Sequence, residues 1–221
     1  YKRQVHVAWD FLKENGLKAL ILKSKHKIQG IDDDYDYAEW WNLTKPSEEE
    51  LEAQKKETFE YMPKFSIVIP VYKTPEKFLK EMLDSIVEQT YANWELCIAD
   101  GSPAGESVGN VLKKYAEKDA RIRYQVLGEN RGISGNTNAA LEMAEGDFIV
   151  LADHDDRLTP NALFECAKKL NENENCDVLY SDEDKLDMDG DELFDPHFKP
   201  DFNPDLLTSV NYICHLSLIH I

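Results

Sequence analysis

The sequence predicts an α/β fold with a mostly parallel, Rossmann-like sheet and helices on both faces. From residue 64 onward, apolar stretches of strand length alternate with stretches whose apolar residues recur at helical spacing. The first of them, residues 65–72, is a continuous run with β-branched residues, as in strands buried on both faces. Short links between alternating strands and helices favour right-handed parallel crossovers. Strands are expected at 65–72, 94–100, 122–126, 146–152 and 177–180, and helices near 79–87, 108–115, 134–144 and 161–170.

Residues 1–62 are expected to form a helical N-terminal extension with a charged linker, and residues 63–221 to form the α/β domain. Residues 1–30 contain two short amphipathic stretches with seven Lys or Arg and two acidic residues. Such a basic element could bind an anionic membrane surface peripherally, or it could pack on its own domain. Within the linker, Ser47 followed by Glu50 fits a capping box and predicts a helix from about residue 47 to 60.

The composition limits the classes of partner and compartment. A formal net charge of −18 argues against nucleic-acid binding. The four cysteines are widely spaced and form no C-x-x-C pair, which favours a reducing compartment over a disulfide framework. No apolar run approaches the ~18 residues of a membrane span, and the start does not resemble a signal peptide. We therefore expect a cytoplasmic location. The chain does not begin with Met, which indicates a piece of a longer protein.

Several carboxylates follow the predicted strands directly. Because parallel strands end at one edge of a sheet, these carboxylates should converge there, where α/β sheets bind ligands. Three of them occur within four residues and would repel one another. Mn²⁺ or Mg²⁺ would remove this repulsion and would bind carboxylates together with substrate phosphates. A solvated acidic loop or a helix N-terminus is the alternative, and His154 is interpreted as a solvent-facing spacer. The carboxylates are Asp100, Asp153, Asp155, Asp156 and Asp182.

Other nucleotide and metal motifs are missing from the sequence. No G-x-G-x-x-G follows the first strand and no P-loop motif occurs, so a bound nucleotide needs base, ribose and metal contacts. The run from Asp187 to Glu192 is similar to a calcium loop. Lys185 and Pro196, however, occupy its first and twelfth ligand positions, so we interpret it as a polar turn.

Five segments in order resemble the inverting family 2 glycosyltransferases of the GT-A fold, over about residues 64–215. They are Ser66–Tyr72, Leu83–Tyr91, Glu95–Ser102, Glu129–Leu141 and Asp153–Leu158. Tyr180–Lys185, and His197–Asp201 with Asn211–Tyr212, are similar to bacterial members that build O-antigen, capsule and related polysaccharides, rhamnosyltransferase-like proteins among them.

The resemblance implies inverting transfer of a hexosyl or deoxyhexosyl group from a UDP- or dTDP-sugar to a saccharide or lipid-linked acceptor. It also implies a role for each matching residue. The nucleobase is expected at Pro70, Tyr72 and Asp100, and the nucleotide at Gly132 and Asn138. The ribose or metal is expected at Asp153, the cation at Asp155, and the donor sugar or acceptor at Glu183 and Asp184. The sequence departs from the family pattern at Lys73, where Asn is common, and at Thr137, where Arg is common.

The family's general base lies in a Gly-Gly-Phe stretch followed by an acidic motif, and neither occurs before Ile221. The base is therefore expected beyond Ile221, and this chain is expected to bind donor but to transfer poorly; Asp182, Glu183 or Asp184 would be the candidates if it turned over. A non-catalytic nucleotide-sugar-binding scaffold is an alternative. A nucleotidyltransferase would need a Gly-rich, Arg-containing loop after the first strand, and residues 71–75 do not provide one.

Overall fold

The computed structural model describes residues 37–190 and 192–220, which divide into two compact units. The smaller unit contains described residues 37–47 and 183–198, and the larger contains 48–182 and 199–220. This division falls after Ser47 and assigns an internal segment to the smaller unit. The domain boundary expected at residue 62 stays a prediction. The predicted helices of residues 1–30 lie outside the described residues. No helix in the described ranges is both long and apolar enough to cross a membrane.

The larger unit is built on a six-stranded sheet. Its strands are β1 (Phe65–Val71), β2 (Trp94–Asp100), β3 (Ile122–Val126), β4 (Phe148–Leu151), β5 (Val178–Tyr180) and β8 (Ser217–His220). They lie in the order β3-β2-β1-β4-β8-β5. The pairs of β1 with β2, β1 with β4, and β2 with β3 are parallel. The mostly parallel α/β fold predicted from the sequence is confirmed. The sequence did not predict β8, which pairs antiparallel with both β4 and β5.

Helices cover both faces of this sheet because side chains alternate along each strand. The helices of the larger unit are α2 (Glu48–Gln54), α3 (Glu76–Val87), α4 (Gly109–Ala116), α5 (Gly132–Leu141), α6 (Ala162–Glu172) and α7 (Pro204–Ser209). Ile67 and Ile69 of β1 join the core that contains residues of α3, α4 and α6, whereas Val68 packs with Ala139 and Ala140 of α5 on the other face. Helix α2 ends earlier than the sequence predicted.

The smaller unit combines a helix with a two-stranded antiparallel sheet. Helix α1 spans Tyr37–Thr44, and strands β6 (Glu183–Leu186) and β7 (Leu193–His197) form the sheet. The rings of Tyr37 and Trp40 stack with centroids 5.5 Å apart. The run that is similar to a calcium loop lies between β6 and β7, where Asp187 Oδ1 accepts hydrogen bonds from the N–H groups of Gly190 and Glu192. The described part of this run is a turn.

The buried carboxylate of Glu95, on β2, connects β1, β3 and the segment before β4. Glu95 Oε1 accepts hydrogen bonds from Ser66 Oγ (2.6 Å) and from the N–H of Glu145 (2.5 Å). Its Oε2 accepts from Lys64 Nζ and Arg123 Nη2, each at 2.7 Å. Burial alone would raise the pKa of Glu95, but Lys64, Ser66 and the other donors outweigh it and lower that pKa below its ordinary value. The network therefore stabilises the ionised form inside the sheet.

Candidate functional site

The antiparallel pairing of β8 brings a histidine to the acidic loop after β4. Leu151 pairs with Ser217, so His215, which lies two residues before Ser217, meets Asp153, which lies two residues after Leu151. His215 Nε2 is 3.2 Å from Asp153 Oδ2, and Nδ1 is 3.3 Å from the Leu151 carbonyl oxygen. Asp153, Asp156 and His215 each offer one ligand atom, and these three atoms lie within 4.8 Å of one another. Sequence reasoning missed His215, because the strand that positions it was not predicted.

Opposing charges within this group shift its pKa values. The hydrogen bond from His215 lowers the pKa of Asp153 and outweighs the effect of burial. The same bond is the largest cause that raises the pKa of His215, to about 8. Asp156 is solvent-exposed by surface area, yet the protein around its carboxyl group still desolvates it and raises its pKa, and the charges of Asp153 and Asp155 act in the same direction. The loop thus holds more negative charge than one imidazolium can balance.

The donor set fits a divalent cation. Two carboxylates and one imidazole are ligands that Mn²⁺ accepts, and the carboxylates alone would suit Mg²⁺. Histidines that bind metals usually donate their other ring N–H to a carbonyl or carboxylate. His215 has this arrangement, because its Nδ1 faces the Leu151 carbonyl oxygen and its Nε2 faces the carboxylate of Asp153.

Asp155, the predicted cation ligand, lies beside this group but is not part of it. Its side chain is 56% exposed, and its Oδ1 lies 3.5 Å from His154 Nδ1. That nitrogen is buried and has no hydrogen-bond partner among the described residues, so His154 is not simply a solvent-facing spacer. Asp155 as a ligand stays a prediction, since this carboxylate would have to turn toward His215 to coordinate the same ion.

Asp100, the predicted base contact, is fully buried. Its Oδ1 accepts a hydrogen bond from the N–H of Ser102 (2.9 Å), and its Oδ2 accepts from Ser107 Oγ (2.7 Å) and the N–H of Val108 (3.1 Å). These bonds fold the loop after β2 back over the strand end. The Asp100 carboxylate therefore holds the loop after β2 in place. Its direct contact with a nucleobase stays a prediction.

Tyr72 lies at the neighbouring end of β1 and is 40% exposed. The Nζ of Lys73 lies 5.6 Å from the centre of the Tyr72 ring and 2.9 Å from Glu106 Oε2. The N–H of Lys73 donates to Ser102 Oγ at 2.8 Å, which ties the end of β1 to the loop after β2. Pro70, also predicted to border the base, is half-buried within β1. Tyr72 is thus the accessible member of the predicted base pocket.

The predicted nucleotide contacts of α5 are exposed, and a buried asparagine lies between them in sequence. Gly132 has a φ of +73°, which favours glycine, and its N–H donates to Asn130 Oδ1 at 2.9 Å. Asn138 is exposed, whereas Asn136 is buried and bonds to Asn130 and to the N–H of Arg131. A Cβ at Gly101 would meet the Asn136 side chain at 2.5 Å, so Asn136 fixes α5 against the loop after Asp100.

The remaining predicted acids have local partners. In the smaller unit, Glu183 Oε1 lies 3.1 Å from His197 Nδ1, and Asp184 Oδ2 accepts a hydrogen bond from the Tyr37 hydroxyl at 2.5 Å. In the larger unit, Asp182 follows β5, and its Oδ1 accepts from the N–H of Lys199 at 2.7 Å. Of the five carboxylates predicted to meet at the edge of the sheet, the structure brings Asp153 and Asp156 together, and His215 lies beside them as a third potential metal ligand.

Residues 66–217 match the family model described as Glycosyl transferase family 2. The uncharacterized protein y4gI of Sinorhizobium fredii is 43% identical over 156 residues, which are 71% of this chain and 17% of that protein. The O-antigen biosynthesis protein RfbC of Myxococcus xanthus is 33% identical over 184 residues, which are 83% of this chain and 14% of that protein. The chain therefore spans less than a fifth of the length of these two relatives.

Among solved structures, the chain is similar to that of S. aureus TarS 1–349 in complex with UDP. The two are 29% identical in sequence and superimpose with a TM-score of 0.49, over 53% of this chain and 34% of that one.

Proposed function

This chain belongs to glycosyl transferase family 2. On that premise, we propose that it binds a nucleotide-diphosphate sugar and takes part in transferring the sugar, with inversion, to a saccharide or lipid-linked acceptor. The observation that carries the proposal is the meeting of Asp153, Asp156 and His215 where β4 ends and β8 begins. This is the edge of an α/β sheet at which ligands bind.

We assign Asp153 and His215 as the residues that hold a divalent cation, with Asp155 and Asp156 supplying further carboxylate oxygens. Bound there, the cation would neutralise charge that develops on the departing diphosphate. Asp153 and His215 are already in contact, and the Leu151 carbonyl orients the imidazole, so little rearrangement is needed at these two ligands. The Asp155 side chain is 56% exposed, compared with 45% for Asp153 and 37% for His215, so it is accessible to a ligand from solvent.

We propose that the base and ribose bind along the ends of β1 and β2. Tyr72 offers an exposed ring, Pro70 lies two residues before it in the chain, and Asp100 fixes the loop that follows β2. Gly132 and Asn138 of α5 are both exposed, and we propose them as further contacts to the nucleotide. UDP and dTDP are the donor nucleotides that we propose. No residue in the described part of the chain is assigned as the general base.

The acceptor is proposed to belong to a bacterial surface polysaccharide or glycolipid. The description of the M. xanthus relative as an O-antigen biosynthesis protein supports this class. Glu183 and Asp184 remain candidates for contact with the acceptor or the donor sugar. Peripheral binding of residues 1–30 to the inner face of the membrane would bring the chain close to a lipid-linked acceptor.

The proposal is tested by thermal unfolding of the 221-residue chain with UDP, dTDP or GDP, each with Mn²⁺ or with EDTA. We expect UDP or dTDP to raise the unfolding temperature only with Mn²⁺, because the ion joins the diphosphate to the protein. At a ligand concentration of 100 Kd, binding adds ~2.7 kcal/mol. For a chain of this size that is a rise of roughly 5–10 °C.

UMP with Mn²⁺ is the matched control, because it lacks the second phosphate and should stabilise the chain much less. Equal stabilisation by UDP in Mn²⁺ and in EDTA would contradict the metal-bridged site, and no stabilisation by any of the three diphosphates would contradict donor binding.

A further inference from the structure

Lys199 connects Asp182, which follows β5, to the segment before β8 that carries His215. Its backbone N–H donates to Asp182 Oδ1, directly after β5, at 2.7 Å. Its side chain then reaches the segment before β8, where Nζ donates to the carbonyl oxygens of Ile213 (2.7 Å) and His215 (2.8 Å). One lysine therefore holds the backbone on both sides of Cys214 while its own backbone is fixed to Asp182.

This segment needs such support because its backbone is irregular. Residues 210–214 belong to no helix or strand, so no regular ladder of hydrogen bonds holds their carbonyl groups. Cys214 has a φ of +38°, a left-handed conformation that is unfavourable for residues other than glycine. An ammonium group has three N–H donors, and two of them here satisfy carbonyl groups that flank the unfavourable residue.

The start of the same segment is fixed independently of Lys199 Nζ. The Tyr180 hydroxyl donates to the Pro200 carbonyl oxygen at 2.7 Å, and the N–H of Asn203 donates to the Tyr212 hydroxyl at 2.8 Å. The rings of Tyr180 and Tyr212 pack edge to face, and Tyr212 is buried. Because these contacts do not involve the Lys199 side chain, its replacement should leave the segment attached to the larger unit.

We propose that Lys199 is a positioning residue that holds His215 in the geometry needed to bind the cation. The proposal rests on the proposed function of His215 as a metal ligand. A ligand must be held within ~0.5 Å of its productive position, and the groups that support ligands usually change metal affinity ~10–100-fold when they are removed. Lys199 binds the backbone carbonyl of His215 and acts through it; Lys199 itself does not coordinate the ion.

The test is a titration of the 221-residue chain with Mn²⁺ alone, with free Mn²⁺ measured by its EPR signal. We expect Lys199→Met to weaken Mn²⁺ binding ~10-fold. Lys199→Arg, which keeps the charge and several N–H donors, should bind within about threefold of wild type. In the His215→Ala background, Lys199→Met should change the affinity less than about twofold, because two residues that act through one ligand are not additive.

Each other outcome contradicts a definite part of the account. If wild type binds Mn²⁺ and His215→Ala weakens binding, but Lys199→Met equals wild type, the role of Lys199 is wrong while the metal site stands. A full ~10-fold loss from Lys199→Met in the His215→Ala background would mean a general structural effect and would also overturn the proposal. If wild type binds no Mn²⁺, the metal site fails and the role of Lys199 fails with it.

Thermal unfolding shows whether each variant is folded. Should Lys199→Met lack a cooperative transition, Lys199→Gln and Lys199→Arg carry the test, because Gln is shorter and can bond at most one of the two carbonyls closely. Mn²⁺ should then bind at least about fivefold more weakly to the Gln variant than to the Arg variant, and equal binding to the two would overturn the proposal.

Discussion

Glu95→Gln is expected to lower the free energy of unfolding by about 3 kcal/mol, because it breaks a buried charge network. The Glu95 carboxylate accepts four hydrogen bonds, and an amide nitrogen in place of either oxygen would face two donors. Lys64 and Arg123 are partly exposed, so their charges are screened, and we expect the lower end of the range for buried pairs. Urea unfolding at pH 7 measures the change.

Glu117→Gln is the matched control for that variant. Glu117 is exposed, and its Oε1 lies 3.8 Å from Lys113 Nζ in an i,i+4 pair on the helix surface. Its loss should change the free energy of unfolding by no more than ~0.5 kcal/mol. Equal effects of the two substitutions would show that the Glu95 network contributes little to stability.

The same network predicts a pH dependence. Because the pKa of Glu95 is lower in the folded chain than its ordinary value of 4.5, the folded state favours the ionised carboxylate. The stabilisation is therefore complete above pH 4.5 and is lost as the pH falls through the lowered folded pKa. The difference in unfolding free energy between wild type and Glu95→Gln should narrow between pH 6 and pH 3. A difference that stays constant over this range would contradict the assignment of a low pKa to Glu95.

Asp155→Ala is expected to abolish the part of nucleotide stabilisation that depends on Mn²⁺. With UDP and Mn²⁺, the variant should unfold within about 2 °C of its temperature in EDTA, whereas wild type should gain roughly 5–10 °C. The physical reason is the loss of an exposed carboxylate that we propose as a further oxygen ligand of the ion. Differential scanning fluorimetry measures the unfolding temperature of wild type and of Asp155→Ala, each with UDP in Mn²⁺ and in EDTA.

Asp189→Ala provides the control for the loss of one acidic charge. Asp189 is exposed in the turn between β6 and β7, within the run that is similar to a calcium loop. This variant should keep the full effect of Mn²⁺. If Asp155→Ala keeps it as well while Asp156→Ala loses it, the second carboxylate of the site is Asp156, and the assignment of Asp155 is wrong.

The parallel part of the fold could be predicted because its strands are continuous apolar runs. Phe65–Val71 and Trp94–Asp100 are buried on both faces, and such runs differ clearly from the amphipathic helices that follow them. The strand β8 could not be predicted in the same way. It has four residues and pairs antiparallel, so the pattern of long apolar strands joined by parallel crossovers does not reveal it.

The candidate site was predictable to the same extent as the strands that build it. Asp153 follows β4, so its place at the edge of the sheet could be inferred from the sequence. His215 depends on β8, and only the register of β4 with β8 brings it next to Asp153. A signal was present, since a histidine precedes the apolar residues Leu216, Leu218 and Ile219, but it indicates a site only when residues 216–219 are treated as a strand.

Burial of polar side chains at the edge of the sheet was not predictable from position alone. Asp100 ends β2 as expected, but the loop after it folds back and provides three donors for its carboxylate. Asn136 is buried because Gly101, far away in sequence, leaves room for its side chain. The first feature depends on the path of the loop after β2, and the second on a contact between α5 and residue 101. The periodic apolar pattern of the sequence reveals neither.

The central claim is that Asp153 and His215 share a divalent cation with the diphosphate of the donor. Crystals of the 221-residue chain grown with Mn²⁺ and UDP would test it through the anomalous scattering of manganese. We expect one anomalous peak ~2.0–2.3 Å from a carboxylate oxygen of Asp153, a ring nitrogen of His215 and oxygens of the diphosphate, as for first-row metals with N and O ligands. Bound UDP with no manganese between its phosphates and these two side chains would contradict the claim.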